Sequence, residues 1–369
     1  MSVITPFTDR VAESLRQTVS RAHNELPVIA LDADALTNVA ETFLQSGKRF
    51  RARLAYWGWR AAVTHDDSTV EPDESPDLDR VVALATGLEL FHAAALVHDD
   101  IIDNSDTRRG VTSAHRQFEQ HHRDGRFAGS ATHYGTSSAV LLGDLLLAWA
   151  DDRFFGATIG VTPDVASRYR EELRVMRSDV TAGQFLDNHD SVAWHTIANT
   201  DAVERAQRVV MYKSAKYSVE EPIVLGALIG GADDTLVTKL RRFALPLGFA
   251  FQLRDDMLGV FGDEATTGKP AGDDLREGKR TVMLAFAREN ADAATLAVFD
   301  ELIGDPTLDS DQIAVLRAKL HSTGAVDKTE DLIALSRDES LNALTELGVA
   351  GSVERELRSL VDAITVRNV

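Results

Sequence analysis

The chain has 369 residues, 44% of them hydrophobic, which is enough to bury a sizeable core. Its 39 basic and 58 acidic side chains give a formal net charge of -19, which disfavours nucleic acid and broad adhesion to anionic membrane, since both call for a basic footprint. With no cysteine, disulfides, thiolate nucleophiles and Cys-ligated zinc are excluded.

The N-terminus carries no basic leader followed by an apolar run, so no secretory signal is expected. No uninterrupted apolar stretch reaches the roughly 18 residues of a membrane span. The nearest, Val81 to Val97, is broken by Glu89 and His92. A cytoplasmic protein is expected, with no membrane span and no nucleic-acid partner.

Helical spacing dominates, prolines number only 9, and alternating β-branched runs are scarce. Taken in chain order, helices are expected near 8–25, 33–46, 49–62, 78–104, 136–155, 163–186, 201–231 and 235–262. Others follow near 280–290, 292–303, 309–322, 325–347 and 351–366. Three polar loops separate them: His65 to Asp79, Arg123 to Gly135 and the Gly-rich Gly262 to Gly278. No composition shift marks a boundary, so one all-α domain over 1–369 is the simplest arrangement.

The first strong chemical signal closes the apolar helix near 78–104. Asp99 and Asp103 are four apart and share one helical face, with Asp100 beside them. Like charges so placed repel, and the C-terminal end of the macrodipole disfavours them further. A divalent cation removes that objection: Mg²⁺ takes one or two carboxylates and fills its remaining positions with water and phosphate. A second acidic pair, Asp255 and Asp256, ends the apolar helix near 235–262. One such pair is weak evidence. Two pairs at the ends of core helices suggest two metal–diphosphate clamps facing one cavity.

With these residues in place the sequence resembles the trans-isoprenyl diphosphate synthases, or polyprenyl synthetases. The resemblance covers roughly residues 40 to 285. Its two Asp-rich motifs are joined, in order, by Gly47 to Arg51, Arg108 to Gly110, Gly183 to Asp187, Lys213 with Ser214, and Gly268 to Pro270. It implies an all-α isoprenoid synthase fold, a helical bundle around a central active-site cavity. It also implies a homodimer, several Mg²⁺ ions (three with substrate bound), and condensation of isopentenyl diphosphate with an allylic diphosphate. The allylic substrate would be dimethylallyl, geranyl or farnesyl diphosphate.

The resemblance further assigns roles. Asp99, Asp103 and Asp255 are implied metal ligands. Asp100, Asp256, Gln184 and Asp187 act through water or support the polar wall. Lys48, Arg51, His92 and Arg109 align with the isopentenyl diphosphate site. Arg108, Lys213 and Lys269 align with contacts to the allylic diphosphate, with Ser214 and Gln252 beside the cation or leaving group. His98 is left as structural. Local charge reconciles the acidic balance with two anionic substrates: residues 47–53 hold Lys48, Arg49, Arg51 and Arg53. No side-chain base stands out, and the departing pyrophosphate itself is expected to take the proton.

Three departures matter. Gly259 stands where many members have a third Asp, so an effect on metal affinity is expected. Ser46 and Ala52 flank the basic motif where Gly and Pro are commoner, and the first motif has the two-residue spacer Ile101-Ile102. In such enzymes, bulky residues four or five positions before the first Asp stop the growing chain early. Here these are Ala94 and Ala95, which cannot form a floor. Phe91 lies about 12 Å down the helix axis from Asp99 at 1.5 Å per residue, which points to a C20 product, geranylgeranyl diphosphate.

The glycines and lysines of the loop at 262–278 do not form a P-loop. Five residues rather than four separate the glycines, and neither lysine is followed by Ser or Thr. A class I terpene cyclase is disfavoured because its characteristic Asn/Asp-Ser-Glu metal motif is missing. A non-catalytic subunit of a heteromeric synthase is disfavoured because both Asp-rich motifs survive.

Overall fold

The computed structural model describes residues 4–45, 47–63, 77–108, 110–262 and 272–365. The fold is all-α, as expected. In chain order, α1 is Thr5–Ile29, α2 Asp34–Gln45, α3 Phe50–Val63, α4 Leu78–Ile102, α5 Ala114–Asp124, α6 Ala131–Gly156, α7 Pro163–Ala193 and α8 Asn199–Val209. A π-helical segment, Val210–Glu220, leads into α9, Glu221–Ile229, and then α10, Asp234–Phe261. Further helices cover Asp273–Arg276, Val282–Asn290, Ala293–Leu302, Ser310–Ser322, Ala325–Thr345 and Gly351–Thr365. Among the described residues the only sheet is a hairpin of two-residue strands, β1 Thr107–Arg108 and β2 Val111–Thr112.

The chain divides into two compact units, Met1–Arg170 with Pro222–Asp233, and Glu171–Glu221 with Asp234–Val369. In the first unit α4 packs against α6, α3 and α1. Val81, Leu84, Leu88, Leu90 and Val97 of α4 are all fully buried. A helix apolar on every side has to be interior or membrane-bound. By length and composition α4 could cross a membrane, but 72% of its most apolar window is buried within the protein.

Close backbone approach fixes α3. A Cβ on Gly58 would lie 2.0 Å from the carbonyl oxygen of Ile223, and one on Gly226 would lie 1.9 Å from that of Ala55. The two glycines face one another's helices, so α3 and α9 meet backbone to backbone.

In the second unit α10 packs against Ala325–Thr345 and the π segment. Its core joins Leu253 and Met257 of α10 to Val282, Phe286, Phe299, Leu316 and Ile333. Arg254 locks this arrangement with a two-pronged bond to Glu330, at 2.6 and 2.7 Å.

Candidate active site

In the first unit α4 carries its acidic motif to its C-terminal end. Asp99 and Asp103 are half-buried and Asp100 is fully buried. Asp103 is the C-cap, its N–H bonding the carbonyl of Asp99 at 2.8 Å. The hairpin then folds back and delivers Arg108, whose Nε donates to Asp100 Oδ1 at 2.7 Å and whose Nη2 reaches Asp99 Oδ2 at 3.3 Å. The cation expected at an allylic diphosphate is thus held by the first Asp-rich motif. Arg109 lies outside the described residues.

His92, half-buried, sits on α4 two turns before Asp99. His98 packs over Gly143 of α6, its Nε2 only 2.0 Å from where a Cβ would stand. Phe91 is 8% exposed and Ala94 fully buried, while Ala95 is half-buried.

The basic motif belongs to the same unit. Lys48 is exposed and Arg51, in the first turn of α3, is half-buried. Arg49 takes a different course from its neighbours: its Nη1 lies 3.4 Å from Glu89 of α4 and its Nη2 donates to the carbonyl of Leu44.

The second unit gathers the remaining candidates. The π segment carries Lys213 and Ser214, and α7 lines it with Asp179, Gly183 and Asp187, spaced four apart on one face. Lys213 Nζ donates to Asp187 at 2.5 Å and Lys216 Nζ to Asp179 at 2.8 Å. Between these pairs, a Cβ on Gly183 would lie 2.3 Å from the backbone nitrogen of Lys213. From α10, a Cβ on Gly248 would lie 2.5 Å from the carbonyl oxygen of Ala215. Two glycines therefore admit the widened backbone from two helices. π-helical bulges recur at functional sites because they re-aim side chains that a regular helix would direct elsewhere. Gln184, also on α7, shares this unit.

On α10, Asp255 is exposed and Asp256 is 9% exposed. Gln252 Nε2 donates to Asp256 Oδ1 at 2.7 Å. Burial, then the nearby Asp274 carboxylate, push the Asp256 carboxyl well above its ordinary range. Asp274 and its neighbour Lys279, 3.5 Å apart, both act electrostatically on Asp256 and belong to none of the motifs. Their signal lies in the charged residues of the stretch Gly262 to Gly278 and in the lysine that follows it, a stretch whose composition reads only as a polar loop. Asp274 also explains Gly259: a Cβ there would lie 1.9 Å from Asp274 Oδ2. Lys269 lies outside the described residues.

Among the described residues, no three His, Asp or Glu side chains converge on a ready-made metal position. The donors are hard carboxylate oxygens in pairs, which suits an ion that keeps water and phosphate ligands.

Residues 33–320 match the family described as polyprenyl synthetase. A crystal structure of geranylgeranyl pyrophosphate synthase from Corynebacterium glutamicum, complexed with isoprenyl diphosphate and magnesium, superposes with a TM-score of 0.89. The two are 37% identical, over 98% of this chain and 99% of that one. A geranylfarnesyl diphosphate synthase of Aeropyrum pernix is 28% identical over 76% of this chain and 81% of its own. A nonaprenyl diphosphate synthase of Mycobacterium tuberculosis is 27% identical over 97% of this chain and 94% of its own.

Proposed function

The chain belongs to the polyprenyl synthetase family, and from that membership we propose the roles its residues play as a chain-elongating trans-prenyltransferase. The substrates are isopentenyl diphosphate and an allylic diphosphate, and the product is an all-trans polyprenyl diphosphate. The observation that carries this reading is the family match over residues 33–320, which takes in both Asp-rich motifs, the basic motif and Lys213-Ser214 in order.

Asp99, Asp103 and Asp255 hold divalent metal, most consistent with magnesium. When bound, the metal neutralises charge developing on the departing diphosphate. Asp100, Asp256, Gln184 and Asp187 support these ligands. Arg108, Lys213 and Lys269 place fixed positive charge against the allylic diphosphate, where preorganised cations stabilise the transition state most. The allylic C–O bond breaks, leaving an allylic cation and pyrophosphate. Ser214 and Gln252 sit beside the cation or the leaving group. Lys48, Arg51, His92 and Arg109 hold isopentenyl diphosphate so that its double bond meets the cation's terminal carbon. A new C–C bond forms, and the proton shed from isopentenyl diphosphate passes to the pyrophosphate.

The product assigned is C20 geranylgeranyl diphosphate. The 37% identity to the Corynebacterium glutamicum enzyme and the packed ring of Phe91 support that length. A homodimer is the assembly proposed. Leu141 and Phe155 of α6 and the following Ile159 stay 60%, 73% and 64% exposed, leaving apolar area for a second copy to cover. The location proposed is the cytoplasm, a reducing compartment that a chain without cysteine suits.

The test is direct. The purified chain is incubated with Mg²⁺, isopentenyl diphosphate and each of dimethylallyl, geranyl and farnesyl diphosphate, and the products are sized. Elongated prenyl diphosphate from the chain alone is expected. Cyclised hydrocarbon, or no turnover without a partner subunit, overturns the assignment.

A further inference from the structure

We propose that Glu89 is a positioning residue for isopentenyl diphosphate: its carboxylate fixes the turn that presents Lys48 and Arg51. The inference rests on the elongation reaction proposed above.

Glu89 sits in the middle of α4 between Leu88 and Leu90, both fully buried, and is itself 6% exposed. An acid so placed is costly unless it is paired. Two partners come from the basic motif. The N–H of Ala52 donates to Oε1 at 3.4 Å, and Arg49 Nη1 donates to Oε2 at 3.4 Å. Ala52 is the third residue of α3, so Glu89 receives an N–H that the first helical turn leaves without an intrahelical acceptor. Its charge also lies at the positive end of that helix.

Arg49 completes the device. Its φ of 49° places a long side chain in the left-handed region, where only surrounding contacts can hold it. Those contacts reach two further helices: Nη2 donates to the carbonyl of Leu44 in α2, and Nη1 meets Glu89 in α4. The carbonyl of Arg49 accepts the N–H of Arg53 at 3.0 Å and so begins α3. The strained residue lies directly between Lys48 and the first turn that carries Arg51. Glu89 sets a buried anion among the four cations within residues 47–53 and offsets their mutual repulsion.

The experiment is steady-state kinetics on the full chain, varying isopentenyl diphosphate at saturating allylic diphosphate and then the reverse. Glu89→Gln is expected to raise KM for isopentenyl diphosphate about tenfold and to leave KM for the allylic diphosphate within about twofold. Arg49→Met is expected to do the same, and the double variant to be no worse than either single, as for residues acting as one unit. Equal shifts in both KM values, no shift, or additive losses overturn the positioning role. If Glu89→Gln does not fold, Arg49→Lys carries the same test, because it keeps the charge and loses the fork. A wild-type chain that never consumes isopentenyl diphosphate refutes the elongation reading itself, whereas wild-type turnover with an unselective Glu89→Gln refutes only the role of Glu89.

Discussion

The guanidinium of Arg108 donates from both Nε, at 2.7 Å, and Nη2 to a single oxygen, Oδ1 of the fully buried Asp100. This pair separates two neighbouring aspartates that look equivalent in sequence. Asp99 keeps 16% of its side chain exposed, while Asp100 serves the hairpin. Asp99→Asn should lower kcat by two orders of magnitude or more, the scale for losing one preorganised electrostatic group, with little change in thermal stability. Asp100→Asn should instead lower stability by about 2 kcal/mol, because it strips the partner from a largely buried charge. Turnover and thermal melts on both variants check the contrast, and equal melting temperatures would contradict it.

The approach of α7 to the π segment predicts a second effect. Gly183→Ala puts a methyl 2.3 Å from the backbone nitrogen of Lys213, so the segment must move. Since Lys213 and Ser214 ride on it, kcat should fall at least about tenfold, as small misplacements of positioning groups do. Gly248→Ala, which presses on Ala215 from α10, should act in the same direction. Single-turnover rates with a saturating allylic diphosphate report the loss.

Restoring the family's commoner acid at position 259 should not help. Any side chain there meets Asp274 Oδ2 at 1.9 Å, and an acid would add charge beside Asp256 and Asp274. Gly259→Asp is expected to weaken magnesium activation and lower the melting temperature. The concentration of Mg²⁺ giving half-maximal rate measures the first effect, and a lower half-maximal concentration in the variant would count against it.

Chain length is tested at Phe91, packed at 8% exposure on α4. Phe91→Ala should shift products beyond C20, because Ala94 and Ala95 offer no substitute floor. Chromatographic sizing decides it: an unchanged product places the floor elsewhere.

Away from the chemistry, Glu220, Glu221 and Glu172 surround Arg241, with Glu172 and Glu220 each 2.5 Å from the guanidinium. Burial first, then the charge of Glu172, push the Glu221 carboxyl up from 4.5 to about 9. The native state therefore holds a proton that the unfolded chain has already released above about pH 4.5. Stability must fall as pH rises through this window toward about 9. Glu221→Gln cannot ionise, so it should melt higher than wild type at pH 8 and show little advantage at pH 5. Thermal melts across that range check the sign.

Much of the molecule is legible in its sequence for a physical reason. Helices such as α3, α4 and α10 follow from local periodicity, and their ends match the expected ranges closely. The chemistry was legible because acids placed at the ends of apolar helices have little structural use without a cation. Where propensity was polar or very short, the reading stopped: α5, Ala114–Asp124, and the hairpin at 107–112 passed unnoticed. Local spacing predicts one helix over 201–231. Its π-helical middle depends on Gly183 and Gly248 lying on other helices, and no local pattern encodes that.

The sequence by itself determined the all-α class, the family and the order of its motif residues, because periodicity and ordered motifs are properties of the chain read in line. Only the tertiary structure decided how those residues are employed. It pairs Arg49 with Glu89 across 40 positions, gives Arg108 to Asp100, and sets Asp274 in the space that Gly259 leaves open. Charge pairing and steric exclusion act through distance in space, and two residues far apart in the chain carry no record of that distance in their names.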